Sequence, residues 1–141
     1  MTPSREVLLV EDNPGDVRLV REAFAEADGD HTLRVATTGE EALAILEQRA
    51  DEDSIPDLVL LDLNLPGTDG ETVLERIRSS PALGQLPVIV LSSSDASEDV
   101  ESCYRAAANA YLTKPIAPDD LVSMIKSLEE FWFEHVRLPP Q

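Results

Sequence analysis

Residues that can carry out chemistry follow four short apolar runs of the chain, each at the point where the run stops. Glu11 and Asp12 follow the first run, and Asp62, Ser92 and Lys114 follow the other three. If the runs are parallel strands, their carboxyl ends meet at one edge of a sheet, where open α/β folds bind ligands. Crowded carboxylates raise one another's pKa, and a divalent cation with oxygen ligands, most suitably Mg²⁺, relieves the repulsion. Because a lysine and a hydroxyl can pair with phosphoryl oxygens, the set predicts magnesium-assisted phosphoryl chemistry around Asp62.

Short apolar runs and helical periodicities alternate along the chain and must position these residues. The runs predict five strands, at 6–10, 31–36, 57–61, 86–91 and 110–113. Apolar residues spaced by three and four predict a helix ending near 28–30 and further helices at 39–49, 70–79, 96–107 and 118–136. Strands alternating with helices form a parallel sheet with right-handed crossovers. We therefore expect one three-layer, doubly wound α/β domain over residues 1–141.

The composition excludes several classes of function. A formal net charge of −17 and a pI near 4.2 argue against nucleic-acid binding through a basic surface. Cys103 is the only cysteine, so neither a disulfide nor a cysteine metal site is expected. Without a membrane-length apolar run or a recognisable signal peptide, we expect no membrane association and a cytoplasmic location. Only two of the eleven basic residues are lysines, a composition that suggests a haloarchaeal source.

Four motifs, in this order along the chain, resemble those of the receiver domain of two-component response regulators. They are the segments 11–14 (EDNP), 62–67 (DLNLPG), 90–92 (VLS) and 111–115 (YLTKP). The match extends from about residue 5 to residue 128. The resemblance implies a flavodoxin-like, five-stranded parallel sheet of order 2-1-3-4-5. It also implies a stand-alone signalling protein, not an enzyme acting on a separate substrate, that takes a phosphoryl group from a sensor histidine kinase and signals to a protein partner.

The resemblance gives each residue of the predicted edge a role. Asp62 would be the phosphoacceptor, and Lys114 and Ser92 would contact the phosphoryl oxygens. The ligands of Mg²⁺ would be Glu11, Asp12, Asp62 and the backbone carbonyl of Asn64.

The resemblance also implies a conformational switch. On phosphorylation Ser92 would move toward the phosphate, and Tyr111 would turn from an outward to an inward position in the space that this leaves. The Lys114–Pro115 peptide is expected to be cis, as is usual in the family.

The segment 129–141 is expected to be an aromatic extension of the last helix. Phe131, Trp132 and Phe133 supply half of the six aromatic residues, and adjacent helix positions cannot all face the core. Such a cluster is typical of an interface, and this ending is similar to that of phytochrome-associated single-domain regulators, which dimerise. We therefore expect a homodimer through the last helix, a phytochrome-like sensor kinase as the partner and no DNA-binding domain. The alternative is a tail that folds back on its own domain.

Three other functions would suit this fold. A flavin mononucleotide carrier needs a first loop that binds phosphate, whereas Glu11 and Asp12 would repel one. Magnesium-dependent phosphatases with an aspartyl nucleophile commonly have a second acid two residues later, where this chain has Asn64. A phosphate-independent dimerisation module would leave the coincidence of the polar residues unexplained. Asp57 is a weaker phosphoacceptor candidate, because it opens its strand at the opposite edge.

Overall fold

The chain alternates strands with helices throughout the part that the computed structural model describes, residues 5–26 and 31–139. The strands are β1 (Glu6–Val10), β2 (Thr32–Ala36), β3 (Leu58–Leu61), β4 (Val88–Ser92) and β5 (Ala110–Thr113). The helices are α1 (Pro14–Ala25), α2 (Gly39–Asp51), α3 (Gly70–Ser79), α4 (Ser97–Arg105) and α5 (Pro118–Glu134). Among these helices, none has the length and apolar content needed to cross a membrane.

The strands form one parallel sheet of order β2-β1-β3-β4-β5, which confirms the predicted topology. In the register of the central strands, Val10 lies beside Leu61 and Leu61 lies beside Val90. The residues that follow β1, β3 and β4 therefore emerge together at the carboxyl edge of the sheet. Strand pairing alone thus gathers most of the residues that the sequence singled out.

The side chains of the central strands alternate between two buried layers. Leu8 and Val10 pack with residues of α2 and α3, whereas Val7 and Leu9 pack with residues of α1 and α5. Because helices cover both faces, these strands are apolar at nearly every position instead of alternating with polar residues. The three-layer arrangement is the one expected from the sequence.

Local chemistry sets most element boundaries. The helix caps that accept a hydrogen bond from the first turn are Asn13 for α1, Thr38 for α2 and Asp69 for α3. β4 begins at Val88 instead of position 86, because Pro87 has no N–H for the ladder. α4 ends at Arg105, shortly before Ala107 adopts a φ of 71°. The predicted end of the first helix near 28–30 lies outside the described residues.

The aromatic cluster of α5 divides between the core and the surface. Phe133 is only 5% exposed and stacks on the His31 ring, with 4.1 Å between centroids, so the prediction that this residue lies at an interface is corrected. The ring of Phe24 contacts the ring of Phe133 edge-on, with 6.2 Å between centroids. Trp132 is partly buried, whereas Phe131 is 57% exposed. The cluster follows the fold-back alternative at Phe133 and leaves Phe131 available to a partner.

Candidate functional site

Three carboxylates converge at the carboxyl edge of the sheet. Glu11, Asp12 and Asp62 each offer an oxygen, and these oxygens lie within 4.8 Å of one another. Glu11 is 1% exposed and Asp62 6% exposed, whereas Asp12 faces solvent. Burial, reinforced by the neighbouring Asp62, raises the pKa of Glu11 to about 7. A compact, oxygen-only set with one ligand open to water fits a hard divalent cation.

Backbone contacts fix the position of Asp62. Its N–H donates to the Val10 carbonyl at 3.0 Å, and its Oδ1 accepts a hydrogen bond from the Asn64 N–H at 3.2 Å. Gly70, at the start of α3, packs so closely that a Cβ there would lie 2.2 Å from the Asp62 carbonyl oxygen. A glycine is therefore required at position 70 for α3 to support the loop. The role of the Asn64 carbonyl as a metal ligand stays a prediction.

Lys114 joins the cluster from the end of β5. Its Nζ lies 2.5 Å from Glu11 Oε1, 3.0 Å from Asp16 Oδ2 and 3.5 Å from Asp62 Oδ2. The backbone N–H of Lys114 donates to the Ser92 carbonyl at 2.7 Å, which extends the pairing of β4 with β5. Burial by itself lowers the pKa of Lys114, but the hydrogen bonds to Glu11 and Asp16 outweigh it and raise the pKa. The lysine is thus a fixed ammonium beside the phosphoacceptor candidate.

Asp16 is the residue of this cluster that the sequence did not reveal. Asn13 provides the cap of α1 by accepting the Asp16 N–H, and the Asp16 carboxylate accepts a hydrogen bond from Lys114. The available signal was its place in the first turn of α1, directly after the loop that carries Asp12.

Ser92 and Tyr111 meet through one intervening residue. Ser92 is fully buried at the end of β4, and its Oγ accepts a hydrogen bond from the Ser94 N–H at 3.1 Å. The Tyr111 hydroxyl donates to the Ser94 carbonyl oxygen at 2.8 Å, and its ring packs against the core on the α2 and α3 side. The two predicted switch residues are therefore linked through the loop after β4. The Lys114–Pro115 peptide is trans, so the expectation of a cis bond is wrong.

The remaining candidates lie away from this edge. Asp57 opens β3 at the opposite edge, where its Oδ2 accepts the N–H of Glu6 at 2.8 Å. The aromatic end of α5 also lies at that edge, because Phe133 stacks on His31, just before β2 begins. The structure therefore separates the acidic cluster from the predicted interface by the length of the sheet.

Comparisons with known proteins agree with this arrangement. The family model of the response regulator receiver domain matches residues 7–126. The response regulator Rcp1 of Synechocystis sp. is 42% identical over 139 residues, covering 97% of this chain and 95% of Rcp1. The crystal structure of the phosphorylated cyanobacterial phytochrome response regulator RcpA has a TM-score of 0.92 and 41% identity, covering 98% of this chain and 100% of RcpA.

A second solved structure bears on the metal. The Mn²⁺-bound form of response regulator Rcp1 has a TM-score of 0.89 and 43% identity, covering 96% of this chain and 99% of that one. This relative supports divalent-cation binding by the fold, without specifying Mg²⁺. The comparisons do not support the haloarchaeal source suggested by the composition.

Proposed function

The chain belongs to the response regulator receiver domain family, and we propose that it is a stand-alone, cytoplasmic response regulator of a two-component phosphorelay. In this role Asp62 accepts a phosphoryl group from a histidine of a sensor kinase, and the chain then signals to a protein partner. The observation that carries the proposal is the convergence of Glu11, Asp12 and Lys114 on Asp62 at one edge of the sheet. The near-complete coverage of Rcp1 and RcpA supports the stand-alone form.

The chemistry divides among few side chains. An oxygen of Asp62 attacks phosphorus as the bond from phosphorus to the kinase histidine breaks, and an acyl phosphate forms. Lys114 pairs with the phosphoryl oxygens, and Ser92 donates a hydrogen bond to one of them. Glu11, Asp12, Asp62 and the Asn64 carbonyl would hold Mg²⁺, which would supply positive charge to offset the negative charge of the phosphoryl group.

The signal passes through the loop after β4. Ser92 moves toward the phosphoryl group. Its Oγ accepts a hydrogen bond from the N–H of Ser94, and the carbonyl of Ser94 accepts one from the Tyr111 hydroxyl. Movement of Ser92 therefore changes the environment of Tyr111, and the face that carries β5 changes with it.

The partners follow from the relatives and from the surface. RcpA is a phytochrome response regulator, which supports a phytochrome-like histidine kinase as the donor. The net charge of −17 argues against nucleic acid as the target. Exposed Phe131 and partly buried Trp132 on α5 support a homodimer through that helix. Dimerisation without phosphoryl transfer is the second candidate function, favoured by the same exposed Phe131.

Intact mass spectrometry after incubation with Mg²⁺ and acetyl phosphate tests the proposal. Wild type and Asp57→Asn are expected to gain one phosphoryl group, and Asp62→Asn none. Asp57→Asn is the matched control, because Asp57 belongs to the same loop-and-strand segment at the opposite edge. Addition to Asp62→Asn would mean that another residue is the acceptor. No addition to wild type, from acetyl phosphate or from a phytochrome-like kinase, would favour the dimerisation module.

A further inference from the structure

Asp16 contacts Lys114 more closely than the phosphoacceptor does. The Lys114 ammonium lies 3.0 Å from Asp16 Oδ2 and 3.5 Å from Asp62 Oδ2. Asp16 lies 98 residues before Lys114 in the chain, and its side chain is 26% exposed. The contact is therefore a tertiary ion pair at the margin of the site.

The three donor hydrogens of Lys114 are all engaged by carboxylates. An ammonium group has three N–H donors, and the structure gives it three acceptors, on Glu11, Asp16 and Asp62. A phosphoryl group on Asp62 replaces the Asp62 oxygen as one acceptor of Lys114, whereas the carboxylates of Glu11 and Asp16 stay in place and draw the ammonium away from the phosphoryl oxygens. The resting contacts of Lys114 consequently compete with the phosphorylated state.

Asp16 differs from the other two acceptors because it stands outside the metal set. The converging oxygens belong to Glu11, Asp12 and Asp62, and Asp16 is not among them. A divalent cation would draw on the charge of Glu11 and Asp62 and weaken their hold on Lys114. Asp16 keeps its full charge for the lysine under the conditions in which phosphoryl transfer takes place.

The start of α1 fixes the place of Asp16. Its N–H donates to Asn13 Oδ1 at 3.1 Å, and Pro14 occupies the first turn of the helix. Since α1 in turn packs on α5, the carboxylate is presented from a supported element.

We propose that Asp16 is a positioning residue that holds Lys114 in the unphosphorylated state and so opposes capture of the lysine by the phosphoryl group. This inference rests on the proposed function and adds to it a residue that sets the stability of the phosphorylated state. Asp16→Asn removes the competing charge but keeps the side-chain shape, so Lys114 turns more readily to the phosphoryl oxygens. Asp16→Glu keeps the charge and restores the opposition.

The first test measures the affinity for beryllofluoride, a phosphoryl mimic, by calorimetry at saturating Mg²⁺. Partly exposed ion pairs are modest in strength, so Asp16→Asn is expected to bind about two- to fivefold more tightly than wild type. Asp16→Glu is expected to bind as wild type does. Glu22→Gln is the matched control, because it removes one negative charge from an exposed position of the same helix. Equal affinity of Asp16→Asn and wild type, or an equal gain in Glu22→Gln, would overturn the inference.

The second test observes the lysine directly and does not depend on a stable variant. The chain has two lysines, so a protein labelled with ¹⁵N at lysine Nζ gives two ammonium signals, with Lys126 as the internal reference. With Mg²⁺ present, the Lys114 signal is expected to persist in wild type and to shift when beryllofluoride is added. Loss of the signal on addition of Mg²⁺ alone would show that Asp16 does not hold the lysine.

The two proposals can fail separately. If wild type neither binds beryllofluoride nor gains a phosphoryl group, the proposed function is wrong. If wild type does both and Asp16→Asn behaves identically, only the role of Asp16 is wrong.

Discussion

Lys114 Nζ lies 2.5 Å from Glu11 Oε1, although 103 residues separate the two positions in the chain. The contact joins the ends of β1 and β5, two strands that are not neighbours in the sheet. The lysine is therefore the positive centre of an otherwise acidic cluster as well as the proposed partner of the phosphoryl group, and its removal has consequences for folding.

Lys114→Met is expected to lower the free energy of unfolding by about 3 to 5 kcal/mol in the absence of metal, since it leaves buried carboxylates uncompensated. Mg²⁺ is expected to restore more stability to this variant than to wild type, because the cation supplies the missing charge. Urea unfolding with and without Mg²⁺ measures both effects. Lys126→Met is the control, since Lys126 pairs with Glu26 at the surface. A loss of stability that Mg²⁺ does not reduce would contradict the account.

Gly70→Ala is expected to disrupt the structure at the carboxyl edge of the sheet, where the site lies, more than at the opposite edge. Its Cβ would lie 2.2 Å from the Asp62 carbonyl oxygen and 2.7 Å from Leu63 Cα, so the loop that carries Asp62 must shift. We expect a lower melting temperature and a large loss of phosphorylation by acetyl phosphate. Gly84→Ala, where the nearest atom is the Ser80 carbonyl oxygen at 3.3 Å, is the control. Phosphorylation of Gly70→Ala at the wild-type rate would refute the packing argument.

Glu129 makes the stability of the protein depend on pH. It is 4% exposed, neither carboxylate oxygen has a hydrogen-bond partner among the described residues, and burial raises its pKa to about 7. A raised carboxyl pKa means that the folded state holds the proton more tightly than the unfolded state does. The contribution of Glu129 to stability is therefore full below about pH 4.5, declines through pH 7 and is absent above it.

Glu129→Gln is expected to remove this dependence. The free energy of unfolding of the variant minus that of wild type should be about 2 to 3 kcal/mol larger at pH 8 than at pH 4.5. Chemical unfolding at several pH values measures the difference. For Glu130→Gln, at the adjacent exposed position, the free energy of unfolding should differ from that of wild type by the same amount at every pH. A constant difference between Glu129→Gln and wild type would show that Glu129 does not titrate in this range.

The fold and most of the site could be predicted because both depend on where strands end. Glu11, Asp62 and Ser92 follow apolar runs, and parallel register then brings them to one edge. Asp16 escaped prediction because its partner, Lys114, comes from the far end of the chain and only the folded structure joins them. A first-turn acid looks the same in sequence whether it stabilises a helix or pairs with a lysine.

The phase of α5 escaped prediction for another reason. The buried stripe continues through Ile125, Glu129 and Phe133, four residues apart, with Leu128 and Trp132 only partly buried. Because the acidic Glu129 interrupts this apolar stripe, the sequence gives no signal that Phe133 continues the stripe toward the core. The burial of Phe133 follows from this phase of the helix.

Phe131→Ser tests the predicted dimer at the one residue of the aromatic cluster that is well exposed. Because Phe131 is 57% exposed and has no part in the buried layers, the variant should fold like wild type. If α5 forms the interface, light scattering at tens of micromolar protein should give a dimer for wild type and a monomer for Phe131→Ser. Tyr104→Ser, an exposed aromatic position on α4, is the matched control and should remain dimeric. If wild type is monomeric both with and without beryllofluoride, the predicted dimer is wrong, and the proposed function is limited to phosphoryl transfer.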